Sequence, residues 1–163
     1  MSLVHFAELN WTTYEVMGFI TVGDDVPIGN GQTLADDPTN VAGENYVNSI
    51  TKRGNRYKAY SRTGAFRQRP AMIGGIYDSD NDWFVDVQPY SSWTLNTSNG
   101  AWEAPVTYPT VTTYTAKDNS TKDWRIVWWE EEVTWGGLKD AVDWDNKPWF
   151  WNKTNLQWEE KNS

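Results

Sequence analysis

The chain has no cysteine and a single histidine, His5, in 163 residues. Without thiols it has no disulfide, no thiolate metal site and no cysteine nucleophile, and the redox compartment stays undecided. A Cys–His pair is thereby impossible, a Ser–His–Asp arrangement would hang on His5 alone, and a lone histidine on an alternating stretch reads as structural. Long apolar runs are missing too. No stretch nears the ~18 consecutive apolar residues of a transmembrane helix. The opening Met1-Ser2-Leu3-Val4-His5-Phe6 lacks the basic segment and apolar run of a secretory signal. The expectation is a protein made in a cytoplasm that reaches any outside location by another route, such as lysis by a phage. A phosphate loop and a dinucleotide fingerprint are also absent. Helix signals are weak throughout, with only Leu138 to Val142 suited to a turn or two. The length fits one domain or two small ones, enough to bury roughly 70% of the unfolded chain's surface without covalent staples.

Positive charge is scarce except in one place. Residues 1–51 hold seven acids (Glu8, Glu15, Asp24, Asp25, Asp36, Asp37, Glu44) and neither Lys nor Arg. Residues 52–70 hold seven of the chain's 14 cations (Lys52, Arg53, Arg56, Lys58, Arg62, Arg67, Arg69) and no acid. The net charge is −8, so this is a local cationic strip on an acidic protein. Tyr57, Tyr60 and Phe66 are interleaved with the cations, and Gly54, Gly64 and Pro70 punctuate the strip. With no helical or strand period, residues 46–70 read as an extended, irregular arm. Three uses suit it: a solvated loop, a docking segment for an acidic protein face, or a nucleic-acid contact. The acidic remainder opposes the last of these, whereas Arg pairs well with carboxylates.

Aromatics are what the chain has in excess: 12 Trp, eight Tyr and five Phe, against sparse Leu and Ile. Such side chains fill β cores and also favour interfaces. Twelve Trp exceed what one small core needs, so several are expected at surfaces. The pattern predicts a mainly β fold. Leu3 to Leu9 and Glu15 to Val22 read as two antiparallel strands joined by a turn at Asn10-Trp11-Thr12-Thr13. Residues 23–45 are Gly-, Asp- and Asn-rich and read as a long loop with room for one helical turn.

From residue 71 a unit recurs: an aromatic or aliphatic residue, Asn or Asp, four or five mostly polar residues, then Trp. It appears at Tyr77–Trp83, Leu95–Trp102 and Trp151–Trp158, and each reads as a β-hairpin with its flanking side chains facing across the strands. Trp124 to Trp129 reads as a strong strand. The organisation expected is therefore an N-terminal β region with a long loop (1–45), the basic arm (46–70), and tandem Trp-containing hairpins (71–163).

Catalysis finds little footing. Acid runs such as Glu130-Glu131-Glu132 are ordinarily solvated, and nothing singles out the paired carboxyls of a glycosidase. Asp78-Ser79-Asp80-Asn81-Asp82 alternates like a calcium loop but lacks Gly at its sixth position and an acid at its twelfth, where Pro89 stands. A polar hairpin turn is the better reading. No metal and no cofactor is expected.

One series of residues supports a resemblance. Ile73-Gly74-Gly75-Ile76-Tyr77-Asp78, Val87-Gln88-Pro89-Tyr90, Ser92-Trp93-Thr94-Leu95-Asn96, Trp102-Glu103-Ala104-Pro105 and Tyr108-Pro109 follow one another in order. With the opening Val4 to Leu9 and the ending Trp151-Asn152 … Trp158, this resembles a family of small Trp-rich virion or accessory proteins of marine and cyanobacterial tailed phages. The likeness covers about half the chain; residues 111–148 depart from it like an insertion, and 23–60 match loosely. It implies a structural place in a phage particle and supplies no catalytic residues.

Together these readings lead to a non-enzymatic protein of the virion. The first expectation is a capsid decoration or cement protein, alone or as a homo-oligomer, binding the major capsid protein or another virion protein. The candidate contacts are Lys52, Arg53, Arg56, Tyr57, Lys58, Arg62, Phe66, Arg67 and Arg69 of the arm, with Trp128, Trp129, Trp149 and Trp151. The alternative is a tail-fibre or host-surface adhesin that stacks sugar rings on Trp128, Trp129, Trp149, Trp151 and Trp158.

Overall fold

The computed structural model describes residues 2–37, 39–52, 56–144 and 147–161. The fold is mainly β and forms two compact units, Met1–Gln88 with Leu95–Ala101, and Pro89–Thr94 with Trp102–Ser163. Among the described residues no helix is long and apolar enough to cross a membrane.

In the first unit, β1 (Leu3–Leu9) and β2 (Val16–Gly23) form the expected antiparallel hairpin, in register from Leu3 opposite Gly23 to Glu8 opposite Gly18, after which a one-residue shift sets Leu9 opposite Val16. Asn10 closes the turn between them, its Oδ1 accepting the amides of Thr12 (2.9 Å) and Thr13 (3.1 Å). A small hairpin, β3 (Pro27–Gly29) and β4 (Gln32–Thr33), follows. Next come α1 (Val41–Thr51) and β5 (Tyr57–Tyr60), which pairs with the free side of β1 to complete a sheet of order β2-β1-β5. The hairpin of β6 (Ile76–Asp78) and β7 (Trp83–Val85) ends the run.

Alternation along β1 divides the unit into two small cores. Phe6, with Tyr57 and Ala59 of β5, packs against Val47 of α1. Ala7 and Leu9, with Val16 of β2, pack against Tyr77 and Phe84 of the β6–β7 hairpin.

The irregular-arm reading of residues 46–70 needs correction. The segment begins inside a helix and contains a strand that pairs with β1, so that among its described residues Lys52, Arg56 and Ser61–Pro70 lie outside helix and strand. The helix escapes a propensity reading because Val41, Gly43, Asn45, Asn48 and Thr51 are weak helix formers. Tertiary contacts supply what propensity lacks. Asp37 Oδ2 accepts the first-turn amides of Ala42 (2.8 Å) and Gly43 (3.2 Å). Gly43 lets the helix approach the sheet, since a Cβ there would stand 3.0 Å from the Phe6 ring and 3.1 Å from Leu34. Asn48 Oδ1 then accepts the amides of Arg56 (2.8 Å) and Tyr57 (3.1 Å), tying the helix to the start of β5.

Further along the chain, β8 (Thr94–Asn96) and β9 (Ala101–Glu103) form a hairpin, as do β10 (Thr113–Thr115) and β11 (Thr121–Asp123). The second unit is built on a four-stranded antiparallel sheet, β12 (Arg125–Trp129), β13 (Thr134–Leu138), β14 (Trp149–Asn152) and β15 (Gln157–Glu160), in sequential order. The last two hairpins, β12–β13 and β14–β15, merge into this one sheet, joined where Gly136 meets Phe150 and Gly137 meets Trp149, whereas β6–β7, β8–β9 and β10–β11 remain separate two-stranded hairpins, as the tandem reading expects. Both glycines are required by their neighbours: the indole of Trp129 lies over Gly136, and those of Trp124 and Trp158 come within 3.0 Å of a Cβ at Gly137.

Trp151 faces Trp158 across β14 and β15, as the repeat implies. In the β6–β7 hairpin the register is one residue off that expectation. Asp78 pairs with Trp83, so Tyr77 faces Phe84. The expected strand at Trp124–Trp129 is present, whereas Leu138–Val142 runs from the end of β13 into a turn and forms no helix.

Candidate functional site

The described cations of the former arm fall into three sets. Arg67, Lys58 and Arg69 are committed within the first unit. Arg67 Nη1 donates to Glu44 Oε1 (2.6 Å) and to the Ala59 carbonyl (2.6 Å), while its Nε donates to Asp82 Oδ1 (2.7 Å). Lys58 Nζ donates to Glu44 Oε2 (3.0 Å), and Arg69 Nη1 to Asp86 Oδ2 (3.0 Å). Lys52 and Arg62 are exposed. Arg62 lies close enough to His5 to help lower its pKa, after the larger effect of burial. Arg53 lies outside the described residues.

Arg56 stands apart. Its Nε, like that of Arg69, is shut off from solvent without a hydrogen-bond partner, but unlike Arg69 its guanidinium forms no ion pair among the described residues. A buried polar atom left unsatisfied in a folded protein calls for an explanation, such as a ligand or an ordered water.

The aromatic candidates are mostly internal. Tyr57 is buried in the core beneath α1, with Phe66 packed against it. Trp128 and Trp151 are buried in the second unit around Val106. Trp128 meets Trp135 edge-on at 5.1 Å, and Trp151 meets Trp158 at 5.4 Å. Trp129 abuts Phe150 at 4.8 Å with perpendicular rings. Trp149 is half-buried beside Trp124, with the Lys139 ammonium 4.5 Å above its ring. Trp158 donates its indole N–H to the Val111 carbonyl (2.7 Å). These rings stabilise the second unit through edge-to-face and tilted packing, and Trp128 and Trp129 also line a surface groove of about 390 Å³ with Glu130, Glu131, Glu132 and Lys161.

The exposed large aromatics that matter lie at the β1–β2 turn, which composition alone did not single out. Trp11 is 58% exposed and Tyr14 46% exposed. Tyr14 has a φ of +57°, a left-handed conformation that a bulky residue adopts at a cost of about 1–2 kcal/mol. Hydrogen bonds lock it there on both sides: its amide donates to the Asn10 carbonyl (2.9 Å), and its carbonyl accepts the Tyr77 amide (3.0 Å). The usable signal was Trp11 itself, an aromatic in a solvent-facing turn closed by Asn10, where polar residues are the norm.

Trp11 and Tyr14 line a groove of about 320 Å³ together with Arg56, Lys58, Tyr77 and Ser79. The Tyr77 ring has the Lys58 ammonium at 5.4 Å and the Arg67 guanidinium at 5.5 Å. Its hydroxyl donates to Asp82 Oδ1 (2.5 Å). Burial, followed by that hydrogen bond, pushes the Tyr77 hydroxyl well above its ordinary pKa, so it holds its proton as a fixed donor. The groove thus combines aromatic surface, cations and one unanswered guanidinium.

The acidic hairpin Asp78–Asp82 uses its carboxylates internally. Asp78 accepts from Asp80 N (3.0 Å), Asn81 N (3.1 Å) and Asn81 Nδ2 (2.8 Å), and Asp82 serves Arg67 and Tyr77. Among the described residues no group of three His, Cys, Asp or Glu side chains is placed to hold a metal ion. Compared with protein-family models, curated proteins and solved structures, the chain matches none.

Proposed function

We propose that this chain is a non-catalytic structural protein of a tailed-phage particle, which adheres to a neighbouring virion protein and most readily serves as capsid decoration. The observation that carries this reading is the groove at the β1–β2 turn. There a strained, doubly hydrogen-bonded turn presents Trp11 and Tyr14 to solvent beside the unpaired Arg56. Backbone strain held in place by surrounding structure tends to gather at sites of function, and aromatic side chains with Arg are the residues that anchor interfaces.

Other features agree. Met17 and Phe19 of β2 are exposed, adding apolar surface to the same unit. The sequence resemblance to Trp-rich phage virion proteins points the same way. A protein that binds only an assembled shell stabilises that shell by mass action, and a net charge of −8 favours solubility of the free chain. The role moves from the whole basic strip to a smaller surface, since Arg67, Lys58 and Arg69 are engaged at home. Of the residues of the sugar-stacking alternative, Trp128 and Trp151 are buried and Trp149 and Trp158 pack against the cores of the second unit, which leaves Trp129 outside them.

The test is quantitative mass spectrometry of purified particles of the parent phage. Many copies of the chain per particle, together with a lower particle melting temperature once it is stripped, is the expected result. Particles that lack the chain would remove the virion role.

A further inference from the structure

Arg56 is the one groove cation whose charge meets no carboxylate within ion-pair distance among the described residues, although the chain carries 22 acids. Its neighbours differ. Glu44 answers Lys58 and Arg67, and Asp82 answers Arg67 again. The backbone that carries Arg56 is fixed, with its carbonyl accepting the Leu9 amide (2.6 Å) and its amide donating to Asn48 Oδ1 (2.8 Å). The guanidinium is therefore attached to a rigid element, which is how a recognition group is preorganised.

The rest of the groove limits what Arg56 can receive. Its volume of about 320 Å³ lies at the small end of the range for ligand pockets, room for one or two amino-acid side chains. The Trp11 and Tyr14 rings offer flat apolar surface at the rim, and the Tyr77 hydroxyl is already engaged with Asp82. The vacant functions are thus a planar cationic fork and an aromatic shelf, complementary to a carboxylate lying next to a ring or a branched apolar group.

We infer that the groove receives an acidic side chain of an extended partner segment, with its carboxylate on the Arg56 guanidinium and an adjacent aromatic residue against Trp11 and Tyr14. This rests on the adhesive reading of the same site and names the partner chemistry. An Arg–carboxylate pair gives the guanidinium the counter-ion that it lacks among the described residues. Attraction between a cationic groove and an acidic segment weakens with salt, because the rim is exposed.

The experiment uses the full chain, 15N-labelled, titrated with the peptide acetyl-Gly-Phe-Asp-Phe-Gly-amide and with its Asn counterpart. The readout is the indole and backbone amide spectrum. The inference expects the Asp peptide to shift the Trp11 indole N–H and the Arg56 amide, with binding weakened by added salt. Affinity should fall roughly tenfold or more for the Asn peptide, for Arg56→Gln and for Trp11→Ala. Trp11 is exposed, so Trp11→Ala keeps the fold and serves if Arg56→Gln fails to fold. Equal binding of the Asp and Asn peptides, unchanged binding by both variants, or no shift at millimolar peptide overturns the inference. So does binding of an oligogalacturonate at Trp11 where the peptide does not bind, which would assign the groove to an acidic glycan. These outcomes are read on the isolated chain, so they are separate from whether purified particles contain it.

Discussion

Glu44 and Arg67 meet at 2.6 Å with each side chain only 8% exposed, joining α1 to the loop that precedes the β6–β7 hairpin. The pair is embedded in further bonds. Glu44 also takes the Ala59 amide (3.0 Å) and the Lys58 ammonium, and Arg67 reaches Asp82. A buried ion pair contributes little over a well-packed apolar substitute, yet removing one partner leaves a desolvated charge unanswered.

Glu44→Ala is therefore expected to destabilise the first unit by about 3–5 kcal/mol. Urea unfolding measures the loss. Native-state hydrogen exchange locates it, because the Ala59 amide loses its acceptor and should exchange much faster. An Ala59 amide as protected as in the parent chain would show that the Glu44 bond does not hold it.

Trp151 and Trp11 give the opposite ends of one comparison. Trp151 is buried among Trp128, Trp158 and Val106, so Trp151→Ala should cost about 3–5 kcal/mol through lost transfer energy and a residual cavity. Trp11 is exposed at a turn closed by Asn10, so Trp11→Ala should change stability by no more than about 0.5 kcal/mol. Thermal or urea unfolding of both variants checks this. Equal losses would place Trp11 in a core that the exposure does not indicate.

Glu130 supplies a pH dependence in the second unit. The hydroxyl of Ser91, then the Trp128 indole N–H and the Ser92 hydroxyl, donate to its carboxylate and hold its pKa at about 2, against an ordinary 4.5. The folded value lies below the unfolded one, so the contribution is full above about pH 4.5 and disappears as the pH falls toward 2. Asp143 acts in the same direction, its carboxyl held low by the Lys122 ammonium and then by the Lys117 amide. Acid titration followed by near-UV circular dichroism of the tryptophans should show packing lost between those limits. Glu130→Gln should reduce the pH dependence and lower stability at neutral pH.

Much of the architecture was legible because it rests on local pattern. Alternation specified β1 and β2, and the Asn and Asp turns specified the hairpins. The Trp151–Trp158 spacing implied the cross-strand pair that is present. The β6–β7 register was less legible, because a repeat in sequence does not fix which residues of a hairpin stand opposite.

What sequence determined by itself, then, is composition-level chemistry and local order: no thiol chemistry, a mainly β chain, aromatic hairpins, and a cationic strip within an acidic protein. Tertiary structure alone decided that α1 forms in spite of weak propensity, because Asp37 caps its first turn and Gly43 permits contact with Phe6. It also decided the fate of each charge and ring. Arg67 and Tyr57 look identical in kind to Arg56 and Tyr14 along the chain. Whether such a side chain meets Glu44, a core or water depends on residues distant in sequence that folding brings beside it.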